Sequence, residues 1–186
     1  MVEDAADTSG DVRLDDVAFA GEEFCHCDRC TRRFADSDVA EWVDWRATVV
    51  TAFLRAARER IPGDMVISLD PDPYPGRLYG QSGIDLDAIE EFVDEFVVPL
   101  YDPAYETTYW IEAISGGFAD RLDTPLSVEL YAVDVDIDNL IAAIEAVDDR
   151  VESILLGYDA STAQAALRRM RADRRDGESH GPTDVG

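Results

Sequence analysis

The feature that most constrains this chain is a regular alternation. Short apolar runs are separated by longer stretches with helical apolar spacing. The runs Val12–Phe19, Met65–Leu69, Phe96–Leu100, Leu126–Val133 and Val151–Leu156 read as strands. A helix from Asp38, with Glu41 completing a capping box, puts Trp42, Trp45, Val49, Val50, Phe53, Leu54 and Ala57 on one face and ends at Pro62-Gly63. Further helices are expected over Asp85–Val93, from Thr107 or Thr108 through Trp110, Ile114 and Phe118, from Asp136 or Asp138 through Leu140, Ile141, Ile144 and Val147, and from Ser161 through Leu167 and Met170. Short, nearly continuous apolar strands joined by helices bury both faces of a parallel sheet. The expectation is an α/β fold of about five βα units, either part of a (β/α)8 barrel or an open parallel sheet. No Gly-rich G-x-G-x-x-G loop follows the first strand, so nothing favours dinucleotide binding. Residues 12–172 read as one domain. The acidic Met1–Asp11 and the polar Asp173–Gly186 read as disordered tails.

Charge sets the solvent in which such a fold can persist. Asp plus Glu number 41 against 16 basic residues, for a net charge of -25, and every basic residue is Arg. Self-repulsion of this size opposes a compact state in dilute buffer. At molar salt the Debye length falls to about 3 Å and the repulsion is screened. A halophilic, salt-accumulating cytoplasm is therefore the expected setting. Nucleic acid and anionic membranes are poor partners for such a surface. No apolar run approaches a membrane span, and Met1–Asp11 has no basic segment or apolar run of a secretory leader.

Parallel α/β folds place working residues just beyond the C-terminal ends of strands. Those ends are rich in carboxylates here: Asp15 and Asp16, Asp70 and Asp72, Asp102, Glu129 and Asp134, and Asp159. Paired carboxylates suit glycosidic-bond chemistry, one as acid/base and one as nucleophile or as base toward water. Asp72, Asp134 and Asp159 also read as caps or solvated charges. Asp16 and Glu129 stand inside apolar strands, where an unpaired carboxylate is costly, and are the catalytic candidates. Asp70, Tyr101, Asp102, Tyr131 and Tyr158 are the candidate substrate-binding residues, since flat rings offer platforms to sugar faces. Trp110, on the apolar face of its helix, reads as core. Carboxylates binding Mg2+ on an open sheet are the alternative chemistry.

The second constellation is Cys25-His26-Cys27-Asp28-Arg29-Cys30. Cys27 and Cys30 have zinc-ligand spacing and Cys25 adds a third thiolate. Clustered within six positions, the three cysteines are no secreted disulfide framework. A tetrahedral site needs a fourth ligand. His26 is awkwardly placed between two ligands, and His180 lies in the C-terminal tail.

The stretch Leu14-Asp-Asp-Val-Ala-Phe19, then Phe24-Cys-His-Cys-Asp-Arg-Cys-Thr-Arg-Arg-Phe34, then Trp42 and Trp45, resembles the fourth-strand region of glycoside hydrolases of the family 42 β-galactosidase type. The resemblance implies structural Zn2+ on Cys25, Cys27 and Cys30, with the family's fourth cysteine absent. It implies an acid/base at Asp16 and, with the first strand counted as strand four, a nucleophile near Glu129 in strand seven. The family's Asn-Glu pair is Asp15-Asp16 here. The chain then reads as strands four to eight of a barrel. The unpaired edges imply a homo-oligomer, a partner chain, or a true start upstream of Met1. Hydrolysis of a glycosidic bond is the expected function. A barrel-derived carbohydrate-binding or scaffold protein without catalysis is the alternative.

Overall fold

A computed structural model describes residues 10–179, with side chains to 175. Five strands form one all-parallel sheet in the order β1-β2-β3-β4-β5, with β1 Val12–Leu14, β2 Met65–Ser68, β3 Glu95–Leu100, β4 Leu126–Tyr131 and β5 Ser153–Gly157. The helices are α1 Asp28–Ala35, α2 Trp42–Arg58, α3 Leu78–Ser82, α4 Leu86–Ile89, α5 Tyr109–Ala119, α6 Ile137–Val147 and α7 Ala160–Ser179. The sheet order equals the chain order, so every crossover steps the same way. With the right-handed connections that parallel units make, all crossover helices fall on one side. Neighbouring helices α5, α6 and α7 pack side by side as this requires. A doubly wound sheet would reverse its order at a switch point, and this one does not.

Alternation along the strands divides the residues between two faces. Met65, Ile67, Phe96, Val98, Leu100, Leu126, Val128 and Leu130 form the core with helix residues such as Leu54, Ile111, Phe118, Leu140 and Ile144. Arg13, Ser68, Val97, Pro99, Ser127 and Glu129 share the other face, since the register aligns Ser68 with Val97, Val97 with Ser127 and Pro99 with Glu129. Arg13 Nη1 reaches Glu129 Oε2 at 2.7 Å although β1 and β4 are three strand steps apart. In a flat sheet that separation is about 14 Å. The contact therefore reports a sheet curled toward this face, the curvature of a barrel arc. Among the described residues β1 and β5 remain edge strands, and no helix is long and apolar enough to cross a membrane.

Several local differences from the sequence expectation have clear causes. The first strand stops at Leu14, before Phe19, because Asp16 takes a left-handed conformation at φ 52° and turns the chain away. Helix α1 fills what reads as a loop. It has no buried residue, so it offers no apolar stripe to a periodicity search. The next helix begins at Trp42, after Glu41, whose side chain makes no capping bond, so the capping box from Asp38 does not form. Phe53 on that helix is exposed, whereas Trp45, Val50, Leu54 and Ala57 are buried. The stretch Asp85–Val93 forms α4, capped by the Asp85 side chain, and then a 3-10 turn. Asp136 caps α6 through the amides of Asp138 and Asn139. Helix α7 runs to Ser179, beyond Asp173, where the sequence places the start of a tail. The tail residues 1–9 and 180–186, His180 among them, lie outside the described residues.

Candidate functional site

The C-terminal ends of β1 to β5 open on a cleft of about 780 Å³. Asp15, Asp16, the segment Val17–Ala20, Ser68, Asp70, Tyr101, Glu129 and Tyr158 line it, with Arg13 and Pro99 on its floor. Both catalytic candidates, Asp16 and Glu129, therefore face one space. So do Asp70, Tyr101 and Tyr158.

Glu129 is only 8% exposed, and a charge so placed needs a partner. Arg13 supplies it across the curled sheet. The same guanidinium donates through Nε to Ser68 Oγ at 2.8 Å and to Asp15 Oδ1 at 3.1 Å, and Ser68 donates to Asp15. One arginine thus links carboxylates from β1 and β4. Burial opposes the Arg13 charge, yet proximity to Glu129 and Asp15 raises its pKa overall, so the cation is fixed. Room for the Glu129 carboxylate comes from Gly157 on β5. A Cβ there would lie 2.8 Å from Glu129 Oε1. Sequence patterning marks none of Arg13, Ser68 and Gly157 as a site residue. Arg13 carries a faint signal, a charged residue in an apolar strand two positions from Asp15.

The ring platform is a triangle. Tyr101 lies 6.1 Å from Tyr131 and 5.7 Å from Tyr158, and Tyr131 lies 5.8 Å from Tyr158, centroid to centroid. The Tyr101 and Tyr158 hydroxyls are 3.0 Å apart. Burial, the Tyr158 hydroxyl and the Glu129 charge together push the Tyr101 pKa well up, so Tyr101 stays a neutral donor. Tyr158 is 70% exposed at the rim, whereas Tyr131 is half-buried behind the other two and does not line the cleft.

Other strand-end acids serve the backbone. Asp102 Oδ1 accepts from the amides of Ala104 and Tyr105 at 2.8 and 3.0 Å and does not line the cleft. Asp72 accepts from Tyr74 N at 2.7 Å. Asp159 accepts from Ser161 and Thr162 at the start of α7, and those bonds hold its carboxyl down to about 2. The non-glycine residues with positive φ, Asp16, Tyr105, Asp134 and Tyr158, all follow strands at this end of the sheet. Backbone strain of this kind collects at functional sites.

Tyr105 latches the mouth from beneath. Its hydroxyl donates to Leu100 O and accepts from Tyr131 N, each at 2.7 Å, joining the ends of β3 and β4. Burial is the leading cause that pushes its pKa up to about 12. The fold thus holds the phenol neutral. This contribution is complete below the unfolded pKa of about 10 and is lost as pH rises toward 12. Tyr105→Phe strands one buried amide and one buried carbonyl, and is expected to cost about 2–4 kcal/mol in chemical denaturation at neutral pH. The variant should also lose less stability than the parent between about pH 10 and 12.

The cysteine cluster follows the cleft-lining segment Val17–Ala20 along the chain. The Sγ atoms of Cys25, Cys27 and Cys30 all lie within 4.8 Å of one another, so they can hold a metal ion. Cys27 is the N-cap of α1. The Cys30 amide, then the thiols of Cys25 and Cys30, pull its pKa down to about 7. Burial and the neighbouring thiols push Cys30 up to about 11. The His26 ring stacks on Trp42 at 4.4 Å, and Phe34 and Trp45 pack edge-on and tilted against the same indole.

Arg46, 1% exposed, ties this loop to the body. Its Nη1 donates to Glu22 O and Gly80 O, each at 3.2 Å, and its Nη2 to Gly21 O at 2.9 Å and Gln81 O at 2.7 Å. Phe19 lies 5.0 Å from the guanidinium, and its amide donates to Ser82 O at 3.0 Å. Gly83, at φ 76°, ends α3 where a Cβ would lie 3.2 Å from the Arg46 carbonyl. The strap from Asp16 to Cys30 is thereby pinned at its middle. No protein-family model matches the chain, and no curated protein matches it.

Proposed function

We propose that the cleft hydrolyses glycosidic bonds with retention, Glu129 acting as nucleophile and Asp16 as acid/base. The observation that carries this reading is the Glu129–Arg13 pair on the floor of a cleft that Asp16 also lines. Arg13 pairs with the Glu129 carboxylate and aims it, as a nucleophile needs. In the first step a Glu129 oxygen bonds to the anomeric carbon as the glycosidic C–O bond breaks, and Asp16 gives its proton to the departing oxygen. In the second step water attacks that carbon, Asp16 takes the water's proton, and the bond to Glu129 breaks. A retaining pair stands about 5–5.5 Å apart. Tyr101 and Tyr158 offer ring faces and hydroxyls to the sugar, and Asp70 an acceptor. The resemblance of Phe24–Phe34 and its flanks to the family 42 β-galactosidase type supports the same reading. Aryl glycosides offered in molar KCl are expected to be cleaved with the anomer retained, as followed by NMR of fresh product. An inverted product would exclude Glu129 as nucleophile.

In this reading Cys25, Cys27 and Cys30 hold zinc, which would fix the strap that supplies Asp16 to the cleft. A partner chain or second copy would pair the edges at β1 and β5. A second reading, sugar binding without turnover, is favoured by one feature. Asp15 and Asp16 replace an Asn-Glu pair, and Asp15 is already committed to Arg13 and Ser68. Thermal shifts with sugars but no released aglycone would support it.

The net charge of -25 makes a cytoplasm rich in salt the setting we propose. The melting temperature is expected to rise steeply between about 0.1 M and about 3 M KCl as screening shortens from about 10 Å to under about 3 Å. A flat or falling curve would contradict a halophilic origin.

A further inference from the structure

We propose that the three-cysteine site keeps one coordination position open to a small thiol from solution, so that it is an exchangeable site and not a closed structural one. This rests on the reading that Cys25, Cys27 and Cys30 bind a metal ion. Closed structural zinc sites take four protein ligands, while open ones take three and leave the fourth position to solvent or solute. Among the described residues three donors converge here. No imidazole or carboxylate among the described residues joins the three Sγ atoms within 4.8 Å.

His26 is the one imidazole among the described residues, and it is engaged elsewhere. Its ring lies at 18° to the Trp42 indole, 4.4 Å centroid to centroid. Phe34 at 5.1 Å and Trp45 at 4.8 Å hold that indole in place. Turning His26 toward the thiolates would break the stack. Cys27 is exposed, so a ligand from solution has access. Three thiolates around a divalent ion carry one negative charge. The N-terminus of α1 at Cys27 offsets part of the further charge of an incoming thiolate. Soft thiolate surroundings favour an ion that accepts another sulfur.

The test uses the full chain loaded with Co2+ in molar KCl and read by absorption. A thiolate-to-Co2+ charge-transfer band is expected. Millimolar β-mercaptoethanol should then raise it saturably, by about one third as a fourth Co–S bond joins three. His26→Ala, verified as folded by circular dichroism, should leave both the band and its response unchanged. A band already complete and unmoved by thiol would overturn the proposal, as would loss of a ligand feature in His26→Ala. Absence of any charge-transfer band would overturn both the proposal and the metal-binding reading beneath it.

Discussion

Glu129→Gln is expected to lower kcat for aryl glycosides by roughly 10³-fold or more while the chain stays folded, since an amide cannot form the glycosyl ester. The substitution keeps the shape beside Gly157 and removes only the charge and its nucleophilic oxygen. Arg13 loses one of its two carboxylate partners but keeps Asp15 and Ser68. That leaves a clean contrast with a structural role. A merely structural Glu129 would change the melting temperature and leave kcat near the parent value. A nucleophile moves kcat with little change in sugar affinity. In Glu129→Gly, which vacates the space of the carboxylate, added azide, a small nucleophile, should restore some turnover and give a product of inverted configuration. Unchanged kcat would remove Glu129 from the mechanism.

Arg46→Met should be the most damaging single change to stability. Methionine matches much of the volume but donates nothing. Four main-chain carbonyls, at Gly21, Glu22, Gly80 and Gln81, would lose a charged donor in a buried position. Bonds to a charged group are worth about 1.5–3 kcal/mol each, and the solvent that enters recovers part. The net loss is expected to be about 3–5 kcal/mol, comparable to breaking a buried ion pair. In a domain of this size that lowers the melting temperature by on the order of 10 °C. Arg46→Lys should recover little of the loss, because one ammonium cannot reach carbonyls on two separate segments. Guanidinium denaturation would confuse ionic and denaturing effects for so acidic a chain, so urea in molar KCl is the suitable assay. A loss below about 1 kcal/mol would contradict the clamp.

Arg46 acts on the cleft through the strap that it pins. Residues Asp16–Ala20 line the cleft, Gly21 and Glu22 sit on Arg46, and Cys25–Cys30 carries the thiolates. Loosening the middle should therefore disturb the cleft as well as the core. In Arg46→Met, activity is expected to fall further than the fraction unfolded explains.

The α/β class was legible because it rests on apolar periodicity, which burial enforces. Met65–Leu69, Phe96–Leu100 and Leu126–Val133 point alternate residues at the helices, and the core keeps them there. Asp16, Glu129, Tyr101 and Tyr158 were legible as residues at strand ends, which the topology brings to one cleft. The cysteine spacing was legible because sequence neighbours stay neighbours in space.

What could not be read has a common cause. Arg13 meets Glu129 only through the curl of the sheet, a property of four strands packed together. Tyr105 acts through a hydroxyl that reaches a strand end twenty-six residues away. Arg46 sits on a helix face that periodicity marks as apolar, and its carbonyl partners belong to segments without a sequence signature. Asp102 resembles Asp70 in the sequence, yet a turn claims it through two amides. Helix α1 has no apolar stripe because the contacts that hold it are aromatic edges and stacked rings.

The most direct test of the central claim is covalent. The chain, in molar KCl, would be incubated with a panel of 2-deoxy-2-fluoro glycosides bearing a good leaving group, then digested and mapped by mass spectrometry. A fluoroglycosyl ester on Glu129, absent in Glu129→Gln, is the predicted result. Turnover with the label on another carboxylate, or a panel that gives neither label nor released aglycone, would contradict it.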